Sequence, residues 1–230
     1  MKKLGIIGGL GPETTSEFYL EVIFGCQKIN PLNRPEILIE SVPMDLEMEK
    51  QAIVEGIGEE KYLPILTGAA RKLELSGAGF LVMPCNSLHA FIEEIRGSVK
   101  IPVLSIVEET TKFLQVRKIE SVGLISTVIT KRRRLYENAF KIAGIKTILP
   151  NELEQAKIGK IIHNLVINRQ GNKEREELVK IIEKFKLHDI HDVVLACTDL
   201  QLLIPEHNEV KIHDTMKILA NATIEKILEK

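Results

Sequence analysis

The chain has 230 residues, of which 44% are hydrophobic, 27% charged and 4% aromatic, with a formal net charge of −1. That length suffices for one large domain or two of about 110 residues, each able to bury a core. The balance excludes a disordered chain, a membrane-embedded one and a broad basic surface for nucleic acid.

In chain order, short apolar runs alternate with amphipathic stretches, as expected of a parallel sheet flanked by helices. The first half reads as strand Leu4–Gly9, a helix from Glu13 to about Lys28, strand Ile37–Val42, helix Glu59–Ser76, strand Phe80–Met83, helix Leu88–Ile95, strand Val103–Ile106 and helix Glu108–Val116. The second reads as strand Val122–Ser126, helix Arg132–Ile142, strand Lys146–Leu149, helices Ile158–Ile167 and Glu174–Lys186, strand Val193–Ala196, a short helical turn, strand Val210–His213 and helix Met216–Leu228.

The pattern therefore runs twice. Cys197 follows Cys85 by 112 residues, and Val210-Lys211-Ile212 follows Val99-Lys100-Ile101 by 111, an offset sustained over more than one element. The expected fold is α/β, with two similar pseudosymmetric domains, mainly parallel sheets flanked by helices, and the active site in the cleft between them. Residues 1–105 with about 215–230 form one expected domain and 106–214 the other. The apolar start at Leu4 is too soon broken by glycines for a signal segment or membrane span, so the cytoplasm is the expected compartment. Cys26, Cys85 and Cys197, odd in number and widely spaced, form neither a disulfide framework nor a C-x-x-C motif, and are expected as free thiols.

Chemistry concentrates where apolar runs end. Pro84-Cys85-Asn86-Ser87 and Ala196-Cys197-Thr198-Asp199 stand at corresponding places in the two halves. A cysteine between a buried strand and a helix sits at a carboxyl-end crevice, where helix amides favour a thiolate. His89, four residues after Cys85, either helps deprotonate that thiol or is a satisfied helix histidine. Cys26 lies in an amphipathic helix and reads as packing. Gly8-Gly9-Leu10-Gly11-Pro12 opens a helix but lacks the third glycine of a dinucleotide loop and the lysine of a P-loop; its free amides suit a small carboxylate, with Thr14 and Thr15 as helix caps.

Three further clusters have mundane readings. His188-Asp189-Ile190-His191-Asp192 has no matching ligand cluster, so no metal is expected there. Lys131-Arg132-Arg133-Arg134 reads as a solvated helix start or subunit contact, with Arg132 or Arg133 able to reach an anion. Asn168-Arg169-Gln170-Gly171-Asn172 is a loop over the cleft or a plain surface turn.

Taken together, Gly5-Ile6-Ile7-Gly8-Gly9-Leu10-Gly11-Pro12, the P-C-N-S-x-H around Cys85, Val122-Gly123-Leu124-Ile125-Ser126-Thr127 and Cys197-Thr198-Asp199-Leu200 resemble the aspartate/glutamate racemase family over essentially the whole chain. The resemblance implies a homodimeric racemase of an acidic amino acid, aspartate and/or glutamate, without cofactor. Cys85 and Cys197 would be catalytic on opposite faces of the substrate α-carbon, Cys197 serving the L- and Cys85 the D-enantiomer. It makes Leu10, Asn86, Ser87, Thr127 and Thr198 substrate-binding. Aspartate-specific relatives tend to carry Arg within the segment matching Met44–Gln51 and Lys where Arg169 stands. Here that segment has no Arg, so Arg169 and Gln51 are the expected clamp for an acidic side chain. Ser87 replaces the usual Thr, and C-T-D the usual C-T-E. Rival readings are another small-carboxylate reaction on the same scaffold, of the hydantoin racemase, malonate decarboxylase or cis-diacid isomerase type, and a silent amino-acid-binding protein.

Overall fold

A computed structural model describes residues 1–169, 171–203, 207 and 209–229. Its first sheet contains β1 (Leu4–Gly8), β2 (Ile37–Ser41) and β3 (Phe80–Val82), in the order β2-β1-β3 and all parallel. The second contains β4 (Ser121–Ser126), β5 (Lys146–Ile148), β6 (Asp192–Ala196) and β7 (Lys211–Asp214), in the order β5-β4-β6-β7, again parallel. A single parallel bridge from Leu81 to Val103 occupies, in the first sheet, the place of β7 in the second. The two halves thus repeat one topology, and the chain is an α/β protein with two parallel sheets.

Apolar residues on both faces of the central strands explain why each sheet is sandwiched by helices. One face of the first sheet packs Ile7 and Leu81 against Leu66, Ala70 and Leu73 of α3 (Leu63–Leu75) and Ile95 of α4 (Ile92–Ser98). Leu4, Ile6, Phe80 and Val82 face the other way, onto Phe18, Val22 and Cys26 of α1 (Pro12–Ile29) and Met216, Leu219 and Ile224 of α10 (Thr215–Leu228). Cys26 is accordingly a core residue. Asp214 caps α10, accepting from the Met216 and Lys217 amides, and sends that helix from the second sheet back onto the first. In the second half α8 (Glu152–Val166) and α9 (Asn172–Lys184) cover one sheet face. Leu114 of α5 (Ile106–Val116) and Tyr136 and Phe140 of α7 (Leu135–Ile142) cover the other. No described helix is long and apolar enough to cross a membrane.

Several expected elements are redrawn. Val103–Ile106 is not a strand: only Val103 pairs, and Ser105 caps α5 by accepting the Glu108 amide at 3.4 Å. The Ser-x-x-Glu spacing outweighed the β-branched run. The Val-Lys-Ile match is also out of register by two residues, because Val103 lies opposite Leu81 as Ile212 lies opposite Val193. The cysteine match holds, since Cys85 and Cys197 each stand four residues beyond those strand positions. The single helix expected at Arg132–Ile142 is α6 (Val128–Arg132) and α7, parted at Arg134, which takes φ 52°. The helix expected from Ile158 starts at Glu152, where Asn151 and Glu154 form a capping box. Unforeseen is α2 (Leu46–Lys50), which runs on through a π-helical turn to Glu55.

Candidate active site

Four turns at the carboxyl ends of the central strands converge on one cleft. They follow β1, β3, β4 and β6. The first is the glycine turn, where Gly9 takes φ +85° and an added Cβ would lie 2.6 Å from the Val42 carbonyl oxygen, so only glycine fits. Thr15 folds this turn onto α1: its Oγ1 accepts from the Gly9 amide and donates to the Gly11 carbonyl, both at 2.9 Å. Neither Thr14 nor Thr15 caps the helix, as Gly11 holds the cap position. Thr14 instead donates across the cleft to Asp199 Oδ1 at 3.0 Å. Leu10 is buried and lines the cleft.

Cys85 follows β3, and the Ser87 and Leu88 amides point at its thiol. Burial pushes that thiol up to about 12, the two amides pull it down, and Asp199 and Glu49 add to the rise. His89 does not touch the sulfur. It is buried, with Nε2 accepting the Ile106 amide at 3.0 Å and Nδ1 2.7 Å from the Cys85 carbonyl oxygen. The Ile106 bond assigns the proton to Nδ1, and burial lowers the imidazole to about 4. His89 is the satisfied histidine, not the thiol's base; it pins the Cys85 turn to the start of α5.

Asn86 is likewise tied across the halves, accepting from the Tyr136 hydroxyl and donating to Thr215 Oγ1 at 3.1 Å. Ser87 and Thr127 meet oxygen to oxygen at 2.7 Å on the cleft wall. Thr127 also caps α6.

Cys197 follows β6 and lines the same cleft with Thr198. Its thiol donates to Asp199 Oδ2 at 3.6 Å. Burial, then the Asp199 charge, hold it well above the ordinary thiol range; the Asp199 amide offsets part of this, and Cys85 is close enough to add to the rise. Asp199 itself is raised by burial, with Thr14 and Cys197 pulling it back.

Cys85, Cys197, Leu10, Asn86, Ser87, Thr127 and Thr198 therefore come together, whereas Gln51 and Arg169 are absent from the cleft lining. Gln51 opens the π-helical turn beside lining residues Ala52 and Ile53. Arg169 is exposed beyond the end of α8, its amide bonded to the Asn164 carbonyl. Gln170, in the same loop, lies outside the described residues.

Three polar lining residues escaped the sequence reading: Asp199 as a cross-cleft partner, Glu49 and Tyr62. Glu49 is 9% exposed, and burial with the Asp199 and Glu13 carboxyls pushes it up to about 7. The Tyr62 hydroxyl is buried without a hydrogen-bond partner, and burial raises it to about 12. The signal in the sequence is the charge reversal in Met44–Gln51, where carboxylates occupy the segment in which arginine is expected. The anion reached by Arg132 and Arg133 is internal, the fully buried Glu59. Among the described residues no cluster of three His, Cys, Asp or Glu could hold a metal ion.

The sequence model of the Asp/Glu/hydantoin racemase family matches residues 7–223. The chain is 30% identical to the broad specificity amino-acid racemase RacX of Bacillus subtilis (strain 168), over 96% of each protein. It is similar to the crystal structure of an aspartate racemase homologue from Pyrococcus horikoshii OT3, with TM-score 0.80, 28% identity and full coverage of both chains. An aspartate racemase from Picrophilus torridus shares the fold, with TM-score 0.83 at 23% identity over all of this chain and 96% of that one. With its two repeated sheets and paired cysteine turns, the chain belongs to the Asp/Glu/hydantoin racemase family.

Proposed function

We propose that the protein racemises an α-amino acid without a cofactor by two-base chemistry, with Cys85 and Cys197 as the bases. One observation carries this reading: two cysteines, from equivalent strand ends of the two sheets, line one cleft within electrostatic reach of each other. A thiolate on one side takes the α-proton while the opposite thiol delivers its own proton to the other face, so the centre inverts. The thiols exchange roles each turnover.

Burial holds both thiols protonated at rest, so the working state has to ionise one. The Ser87 and Leu88 amides make Cys85 the easier thiolate, while Asp199 accepts the Cys197 S–H and keeps that proton in place. The α-proton is very weakly acidic, and negative charge developing on the substrate carboxylate needs fixed donors. The remaining Asn86 amide hydrogen, the Ser87–Thr127 hydroxyl pair and Thr198 supply them. Asp199, beside the reacting sulfur, is placed for the α-ammonium.

The division into units 1–105 with 215–230, and 106–214, belongs to the same proposal, as does a cytoplasmic homodimer. Exposed Leu20 and Phe24 on α1 support the dimer, and light scattering at micromolar concentration tests it.

The decisive experiment is α-hydrogen exchange in D2O, followed by proton NMR with a panel of L-amino acids. Loss of the α-signal with formation of the D-isomer, blocked by Cys85→Ala and by Cys197→Ala, is expected. Exchange that survives either substitution at the native rate overturns the two-base reading.

A further inference from the structure

The expected acidic-side-chain clamp is not on the cleft, and what lines it has the opposite charge. Among the described residues lining the cleft and the cavity adjoining it there is no Lys or Arg, whereas Glu49 and Asp199 line both and Glu13 lines the second. Asp199 is engaged by Thr14 and Cys197. Glu49 is not: the residue is 9% exposed, and its carboxylate has only burial and neighbouring carboxyls acting on it, with no hydrogen bond or ion pair to a described residue. Next to it on the cleft wall, the buried Tyr62 hydroxyl also lacks a partner. A buried hydroxyl left unpaired costs free energy unless a ligand supplies a partner, and a carboxylate on the same wall with no cation near it favours a ligand that brings one. Met44, Ala52, Ile53 and Leu10 complete this part of the lining with apolar surface, suited to a methylene stem.

Resting on the racemase reading, we propose that Glu49 and Tyr62 form the side-chain pocket for a basic amino acid, and that substrates of the lysine, ornithine and arginine type are preferred over aspartate and glutamate. An ammonium or guanidinium group at the end of an aliphatic stem donates to both unpaired oxygens. A second carboxylate in the same place faces Glu49 and Asp199 with no cation to offset it. Burial and neighbouring carboxyls push Glu49 up to about 7, a sign of a pocket short of positive charge; an entering cation restores the carboxylate.

The test measures α-hydrogen exchange and its kcat/KM for L-lysine, L-ornithine, L-norleucine, L-glutamate and L-aspartate, in the native protein, Glu49→Gln and Cys85→Ser. Lysine is expected to exceed glutamate by at least about 100-fold, with norleucine between them, and Glu49→Gln to shrink the lysine-to-glutamate ratio by about tenfold or more. Tyr62→Phe is expected to shrink the same ratio less. If glutamate or aspartate exchanges fastest, or if Glu49→Gln leaves the ratio unchanged while Cys85→Ser abolishes exchange, the pocket assignment is overturned and the racemase reading stands. Exchange of no amino acid overturns both.

Discussion

The two cysteine turns occupy equivalent places in equivalent sheets, yet their surroundings differ in electrical sense. At Cys85 two N–H donors, the Ser87 and Leu88 amides, bond the sulfur against the more general pull of the Asp199 and Glu49 charges, and the turn is braced by neutral His89. Beside Cys197 there is one such donor, the Asp199 amide, and it is outweighed by an acceptor, the Asp199 carboxylate. Donors favour a thiolate and an acceptor favours a thiol. A duplicated fold can therefore present two like thiols to one cleft and still hold a proton more firmly on one side than on the other.

The comparison can be broken hardest at the sulfurs. Cys85→Ser and Cys197→Ser are each expected to cut racemisation by at least about 10³-fold. Deuterium uptake assayed separately from L- and D-substrate should fall unequally between the two variants; equal loss from both enantiomers would remove the asymmetry.

Next comes the acceptor. Asp199→Asn removes the charge that raises Cys197, so that thiol should ionise at lower pH, and kcat/KM should fall about 10- to 100-fold. Alkylation of Cys197 by iodoacetamide across a pH series, read by mass spectrometry, should show its limb shifted toward acid. An unmoved limb would detach Asp199 from the thiol.

The brace on the Cys85 side is smaller in activity and larger in stability. His89→Phe leaves the Ile106 amide and the Cys85 carbonyl without the ring that joins them, and should destabilise the fold by about 2–4 kcal/mol in urea denaturation. Folding lowers this imidazole from 6.5 to about 4, so the unfolded chain binds the proton first as pH falls. Its contribution is complete above about pH 6.5 and declines toward pH 4, by about 3 kcal/mol. The variant should lose that acid-side slope.

The mildest change is Thr14→Val, which keeps the shape of α1 but removes the 3.0 Å bond to Asp199. A loss of up to about tenfold in kcat/KM is expected, with stability reduced by about 1 kcal/mol. An effect as large as that of Asp199→Asn would mean that Thr14, rather than the carboxylate charge, sets the Cys197 side.

Much of this molecule was legible because its signals are local. Buried strands read as apolar runs, and the residues at their ends, Cys85 and Cys197 above all, sit in the crevice because of where the runs stop. Caps were legible but underused: Asn151 with Glu154 and Ser105 with Glu108 mark helix starts in the sequence, yet the apolar pattern alone placed one helix late and made the other's approach a strand. What could not be read is pairing across the halves. Thr14 and Asp199 are 185 residues apart, and Ser87 meets Thr127 only because two sheets face each other. The Leu46–Glu55 turns are too short for a periodicity of their own, so the wall that carries Glu49 had no helical signature. Arg169 matched by spacing after a helix, but the exposed end of α8 leaves it off the cleft lining.

The return of α10 has a consequence for synthesis on the ribosome. Leu4, Ile6, Phe80 and Val82 have their final cover only when Met216, Leu219 and Ile224 arrive, and Asn86 waits for Thr215. The earliest-made sheet is thus the last to be finished, and a nascent chain exposes a sticky apolar face until its closing segment emerges. Completion of the cleft therefore waits for the last helix, because the Asn86–Thr215 bond cannot form before it.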